Sequence, residues 1–437
     1  MKGYVILIAS VAALGGLLFG FDTAVIAGTT SYITKYFSLT NWQLGLAVAA
    51  TSLGCIGGAF VSGRLADRFG RKKIMLLTAI LYMVAAIGSG LAGTFATLVI
   101  YRIVGGVAIG LASAIAPIYI SEIAPAGERG RLGMLQQLAI VIGILLSSLS
   151  NYLIARVEID DPWRYMLGIA FLPSLAFFLL LLLVPESPRW LILKGKTAQG
   201  ERIFARISPD AKALVEAVLA ETASHVIAPF REIFTHRYRR VVFIGFCFAS
   251  LAQLTGINII FYYAPLIFQT THMGGSALFQ TLLLGIDNLV FTVVAFWMID
   301  RLGRKKLLLA GSVIMTLCLA FLGILFWKQA TNNVYVLAGM FLYIAGFACS
   351  WGVVLWVYVA EIFPNRIRGS ATSMAVTGNW TANTLVVLTF PQILATLKGG
   401  PTFLVYAALN AGMIWFVWKY VFETKGIPLE KIEGAYT

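Results

Sequence analysis

Stretches of about 20 mostly apolar residues recur about twelve times along this chain, each long enough to cross a bilayer as a helix. The first and sixth cover residues 5–31 and 165–184, and the seventh and twelfth cover 241–268 and 402–422. A chain of 437 residues that is 59% hydrophobic and only 12% charged has too little polar surface for a soluble domain. The expected class is therefore an all-α membrane protein.

A net charge of +14 raises the question of a nucleic-acid partner. The basic residues, however, lie at the ends of spans rather than on one polar domain. With both termini placed in the cytoplasm, 27 of the 33 Lys and Arg residues fall inside, which satisfies the positive-inside rule and excludes the inverted topology. No nucleic acid is expected. Cys55, Cys247, Cys318 and Cys349 lie singly in apolar stretches and read as packed thiols. Neither they nor the three scattered histidines suggest a metal or cofactor. Lys2 and the run after it resemble a secretory signal, but the run is too long, contains Asp22 and lacks a small-residue cleavage site. It is read as the first span.

Two patterns occur twice. Asp67-Arg68-Phe69-Gly70-Arg71-Lys72-Lys73 returns as Asp300-Arg301-Leu302-Gly303-Arg304-Lys305-Lys306, 233 residues on. Glu122-Ile123-x-Pro125-x-x-x-Arg129-Gly130 returns as Glu361-Ile362-x-Pro364-x-x-x-Arg368-Gly369, 239 residues on. They follow the second and fourth spans of each half, so the halves share one orientation and form a parallel duplication. The expected organisation is an N-terminal six-helix bundle over 1–184, a cytoplasmic linker over 185–240, a C-terminal six-helix bundle over 241–422 and a short tail over 423–437. Ser208-Pro209-Asp210 reads as a helix start, so short amphipathic helices are expected in the linker.

These repeats, together with Pro185-Glu186-Ser187-Pro188-Arg189-Trp190, Gln253-x-x-Gly256-Ile257-Asn258 with Tyr262-Tyr263, and Glu423-Thr424-Lys425-Gly426, resemble the sugar porter family of the major facilitator superfamily. The resemblance spans essentially the whole chain. It implies the major facilitator fold: 12 transmembrane helices in two six-helix bundles related by a pseudo-twofold axis, with short intracellular helices. The halves of this fold rock about a site near the midplane.

Charge within the spans is the sharpest chemical signal. Asp22 in the first span and Arg102 in the fourth would each cost about 2.5–3.5 kcal/mol at a helix centre if left alone, so they are expected to pair. A carboxylate beside a guanidinium titrates low, and one that is desolvated and separated titrates high. A pair that parts during transport thus takes up a proton at Asp22; a pair that never parts only braces the helices. The resemblance favours the first reading, because proton symporters of the family carry Asp here and facilitative members typically carry Asn. Asp287 in the eighth span reads either as a second proton site or as a hydrogen-bonded acid in a polar cavity.

A neutral polyol needs donors, acceptors and an aromatic face without a strong field. Gln253, Asn258, Tyr262, Asn288, Trp356, Asn379 and Trp380 offer that set in the second half, and Phe19 and Gln137 add to it from the first. The resemblance places Gln137, Gln253, Asn258, Asn288, Trp356 and Asn379 at sugar-contacting positions. Three departures stand out. Ala252 precedes Gln253 where the family usually has Gln, Asn379 is Gln in some bacterial relatives, and Val353 replaces a proline after Trp351-Gly352, which removes an expected kink. By the same resemblance, Asp67, Arg71, Glu122, Arg129 and Glu186, with Asp300, Arg304, Glu361, Arg368 and Glu423, form an intracellular ion-pair network that acts as a cytoplasmic gate. Plain topology signals would explain the bases but not the repeated acids.

The expected function is proton-coupled import of a neutral monosaccharide, pentose or hexose, by alternating access. A facilitative sugar or polyol uniporter is the alternative. A membrane sugar sensor is less favoured, since such relatives carry long cytoplasmic tails. Nothing suggests an enzyme, because no nucleophile, base and metal constellation appears. The expected partners are a small sugar, protons and the lipid bilayer of the cell (inner) membrane, with the monomer as the working unit.

Overall fold

The computed structural model describes residues 2–125, 128–207, 210–224, 230–269, 276–329, 333–364 and 367–425; the side chains of Arg129 and Asp300 are outside what it describes. Among the described residues, twelve helical segments are long and apolar enough to cross a membrane. The first half contributes α1 (Lys2–Phe37), α2 (Asn41–Phe69), α3 (Arg71–Gly90), α4 (Phe95–Ile123), α5 (Arg129–Ile154), α6 (Pro162–Gly168) and α7 (Phe171–Leu183). The linker carries α8 (Pro188–Leu193), α9 (Thr197–Ile207) and α10 (Ala211–Ser224). The second half contributes α11 (Arg239–Leu254), α12 (Ile257–Gln269), α13 (Ala277–Leu302), α14 (Arg304–Trp327), α15 (Asn333–Ala348), α16 (Trp351–Ile362), α17 (Arg368–Leu397) and α18 (Gly399–Tyr420).

Three spans are each built from two helices: α6 with α7, α11 with α12, and α15 with α16. A break in lipid frees backbone groups that need partners. At Thr255-Gly256 the freed Thr255 carbonyl accepts hydrogen bonds from Tyr343 Oη (2.7 Å) and Asn410 Nδ2 (3.0 Å), and Gly256 takes the positive φ of 90° that the turn needs. The α15–α16 break corrects the expectation drawn from Val353. The helix is interrupted at Cys349-Ser350, next to Gly352, without any proline. Ser350 Oγ turns back to the Gly346 carbonyl (2.6 Å), and this local bonding serves where a missing N–H would have.

The chain divides into two compact units: Met1–Asp22 with Leu53–Leu146 and Arg164–Ile227, and Thr23–Ser52 with Ser147–Trp163 and Ala228–Thr437. In the first unit α3 packs on α4 and α7. The backbones of α2 and α4 touch directly: a Cβ on Gly54 or Gly58 would strike the carbonyl of Ile103 or Val107, and one on Gly110 would strike that of Cys55. Below them, α8, α9 and α10 close around Ile192, Phe204, Val215 and Val218. Ser187 caps α8 by accepting from Trp190 N (3.2 Å), with Pro188 in the first turn. Ser208 and Pro209, read above as a helix start, lie outside the described residues; α10 begins just beyond them.

In the second unit α14 packs on α15 and α18, and α11 on α17. This unit also holds the C-terminal part of α1, the N-terminal part of α2 and the C-terminal end of α5. They are tied to second-half helices by Gln269 Nε2 to Ser31 Oγ (3.0 Å), by Ser52 Oγ to Asn383 Oδ1 (3.4 Å) and by Tyr152 against the ring of Phe279. Large apolar side chains such as Leu183, Leu317 and Phe243 face outward, as a surface immersed in lipid tolerates.

Candidate functional site: an ion pair, an amide cluster and two capped helix starts

Asp22 lies in α1 and Arg102 in α4, and the structure pairs them as the cost of isolated charge requires. Arg102 Nη1 donates to Asp22 Oδ1 at 2.8 Å, and the arginine is 3% exposed. The α2–α4 glycine contact holds Arg102 there, one turn before Gly106. A single hydrogen bond leaves Asp22 Oδ2 and Arg102 Nε buried without a protein partner. The pair is closed by one charge-assisted bond and is not bidentate.

The second half gathers uncharged amides. The α11–α12 break places Gln253 at the end of one helix and Asn258 at the start of the next, so that Asn258 Nδ2 donates to Gln253 Oε1 (2.5 Å). Gln253 Nε2 donates in turn to Asn379 Oδ1 on α17 (2.9 Å). Each amide retains further donors or acceptors, and together they present both kinds without net charge. Three of the sugar-binding candidates thus form one chain of hydrogen bonds, and the short Asn379 reaches Gln253 directly.

Among the remaining candidates, Tyr262, Asn288 and Trp380 are buried in the same unit and Trp356 is half-buried on α16. Phe19 and Gln137 are half-buried in the other unit. Ala252, where the family usually has Gln, is fully buried on α11. Asp287, beside Asn288 on α13, keeps one buried carboxylate oxygen without a partner. The sequence reading missed Tyr343 and Asn410, which hold the break carrying Gln253 and Asn258; Gly256 was the local signal that a break needed holding.

At the starts of α3 and α14 the duplication is atomic. Glu186 Oε1 accepts from the N–H groups of Arg71 (2.9 Å) and Lys72 (3.0 Å), which open α3. Glu423 accepts from those of Arg304 (2.9 Å) and Lys305 (3.1 Å), which open α14. Gly70 and Gly303 precede these helices at φ 100° and 85°, and a Cβ on either would run into its glutamate. Glu186 and Glu423 are 237 residues apart, between the two repeat offsets, so the spacing already marked them as counterparts. Arg71 bonds Glu122 (2.8 Å) and Asp67 (3.1 Å), and Arg304 bonds Glu361 (3.0 Å). Thr424 Oγ1 donates to the same Glu361 (2.5 Å), and Arg368 Nε reaches the Phe363 carbonyl (3.3 Å).

Each of these pairs lies within its own half and joins the starts and ends of its own helices. Burial disfavours the charge on Glu423. The amides of Arg304, Lys425 and Lys305, and then the Arg304 guanidinium, outweigh it and hold the carboxyl below its usual range. The proposed gate members Arg129 and Asp300 lie, in their side chains, outside the described residues.

The family model described as "Sugar (and other) transporter" matches residues 8–436. The chain is 39% identical to the D-xylose-proton symporter of Escherichia coli (strain K12), over 100% of this chain and 96% of that one. It is 37% identical to the glucose facilitated diffusion protein of Zymomonas mobilis, over 100% and 98%. Its fold matches the inward open conformation of the xylose transporter from E. coli with a TM-score of 0.88 at 37% identity, covering 99% of this chain and 100% of that one.

Proposed function

From the premise that this chain belongs to the sugar transporter family, a family of multi-pass transporters and not of enzymes, we propose that it imports a neutral monosaccharide in symport with protons. The observation that carries the reading is the buried Asp22–Arg102 bond at 2.8 Å. A carboxylate held by one bond to a guanidinium can be released and protonated, and a static brace would gain nothing from leaving its second oxygen unpaired. External protonation of Asp22 loosens the pair and favours sugar loading; loss of that proton to the cytoplasm resets the carrier.

The Gln253–Asn258–Asn379 chain, with Tyr262, Asn288, Trp356 and Trp380, and with Phe19 and Gln137 from the first half, is the sugar site. Its uncharged amides suit a neutral substrate. Asp67, Arg71, Glu122, Arg129 and Glu186, with Asp300, Arg304, Glu361, Arg368 and Glu423, are the cytoplasmic gate. Their pairing stabilises the outward-facing state, as a bias shared among several individually weak contacts. The working unit is a monomer of two bundles, 1–184 and 241–422, in the cell (inner) membrane with both termini in the cytoplasm.

The test is uptake of labelled pentoses, hexoses and polyols into proteoliposomes, with and without an inward proton gradient. Uphill accumulation that needs the gradient and is lost in Asp22→Asn is expected. The second reading, a facilitative uniporter, is favoured by the likeness to the facilitated diffusion protein; equal plateaus with and without the gradient would establish it in place of symport.

A further inference from the structure

Beside the Asp22–Arg102 pair is a cavity that neither the ion pair nor the sugar site uses. α1, α3, α4, α6, α7 and the link between α6 and α7 line a space of about 10 Å³, whose polar lining comes from Asp22, Tyr82, Ser89, Arg102 and Ser174, with Ala170 also on its wall. Tyr82 is 4% exposed and Arg102 3%. Three buried polar atoms of the lining residues lack a protein partner: Asp22 Oδ2, Arg102 Nε and the Tyr82 hydroxyl. Buried polar groups are nearly always paired, and a polar space of this size admits one water when two to four partners converge on it.

We propose that this cavity is a water-binding site, with Tyr82 as the residue that positions the water against Asp22 and the water as the last station of the proton on its way to that carboxylate. The bound water accepts the Arg102 Nε–H, donates one hydrogen to Asp22 Oδ2 and shares a hydrogen bond with the Tyr82 hydroxyl. When a hydronium occupies the place, one of its O–H bonds breaks as the Oδ2–H bond forms, and neutral water remains. The groups around Asp22 that titrate or carry charge are Arg102 from α4, Tyr82 from α3 and Cys55 from α2. From α7 the polar lining is Ser174, whose hydroxyl donates to the Ala170 carbonyl (2.7 Å). Ala170 sets the room: a larger side chain there takes the space of the water.

The site rests on the reading of Asp22 as the proton carrier, and the experiment separates the two. Tyr82→Phe keeps the ring and deletes the hydroxyl; Ala170→Val keeps the hydroxyl and fills the cavity. In proteoliposomes each is expected to slow proton-driven uptake about tenfold relative to sugar exchange, and to move the pH midpoint of uptake by about one unit. A variant that merely packs badly would lower both activities together and leave the pH midpoint in place, and that result overturns the proposal. If Asp22→Asn loses accumulation while both cavity variants keep the wild-type ratio and pH profile, the water site is wrong and the symport reading stands. If Asp22→Asn still accumulates sugar, both fall.

Discussion

The ion pair of the first half and the amide chain of the second solve opposite problems on copies of one helical plan. Asp22 and Arg102 concentrate full charge in a closed space and make one bond, leaving a carboxylate oxygen unspent. Gln253, Asn258 and Asn379 carry no charge and bond one another in sequence, across a helix break that Tyr343 and Asn410 secure. The starts of α3 and α14 show no such divergence, since Glu186 and Glu423 cap them alike. The halves are alike at these caps and differ where one holds a charged pair and the other a chain of uncharged amides.

The contrast breaks most visibly at Asp22. An inward gradient of one pH unit supplies about 1.4 kcal/mol per proton, enough for about tenfold accumulation at one proton per sugar. Asp22→Asn is expected to bring the accumulation ratio to about one, read as the plateau of labelled-sugar uptake in proteoliposomes. Gln253→Ala or Asn379→Ala should act on the other side of the divide. Losing one amide from the chain is expected to weaken sugar affinity about 5- to 100-fold in exchange and in accumulation alike, because both modes need the bound sugar. A variant of Gln253 that abolished coupling but kept affinity would dissolve the division of labour between the halves.

Smaller effects sharpen the likeness of the two capped helix starts. Glu186→Gln and Glu423→Gln should each cost about 1–2 kcal/mol of thermal stability in detergent, since each removes charge-assisted bonds to a helix start. Comparable losses would show that the two caps are equivalent, and a large inequality would show that they are not. Because the folded protein holds the Glu423 carboxyl below its unfolded value, that contribution is full above the ordinary carboxylate range. It fades as the pH falls through the lowered value. Wild type is expected to lose stability on acidification over that window and Glu423→Gln to lose less, measured by thermal melts across pH. Asp67→Asn should move stability by no more than about 0.5 kcal/mol, because its i,i+4 bond to Arg71 is largely solvated while Glu122 keeps the buried share.

Much of this was legible in residue order. The spans, the duplication, the Asp22–Arg102 partnership and the second-half amides follow from hydropathy, repeated motifs and the cost of isolated charge. Val353 misled, because proline is only one cause of a kink and Ser350 provides another. The repeated acids were read as an intracellular ion-pair network. Two of the described ones, Glu186 and Glu423, accept from backbone amides, and motif spacing does not reveal which donors a carboxylate will meet.

The sequence alone determined that this chain carries membrane-length apolar spans, that two motifs recur in its halves and that Asp22 and Arg102 need a partner within their spans, since apolar length, repeated motif and desolvation cost are local properties. Only the tertiary structure decided that the Asp22–Arg102 bond is single, that three amides share one chain and that Tyr82 borders the pair. Those facts depend on how closely helices distant in sequence approach, and that distance is set by the glycine faces and helix breaks of the whole bundle packed together.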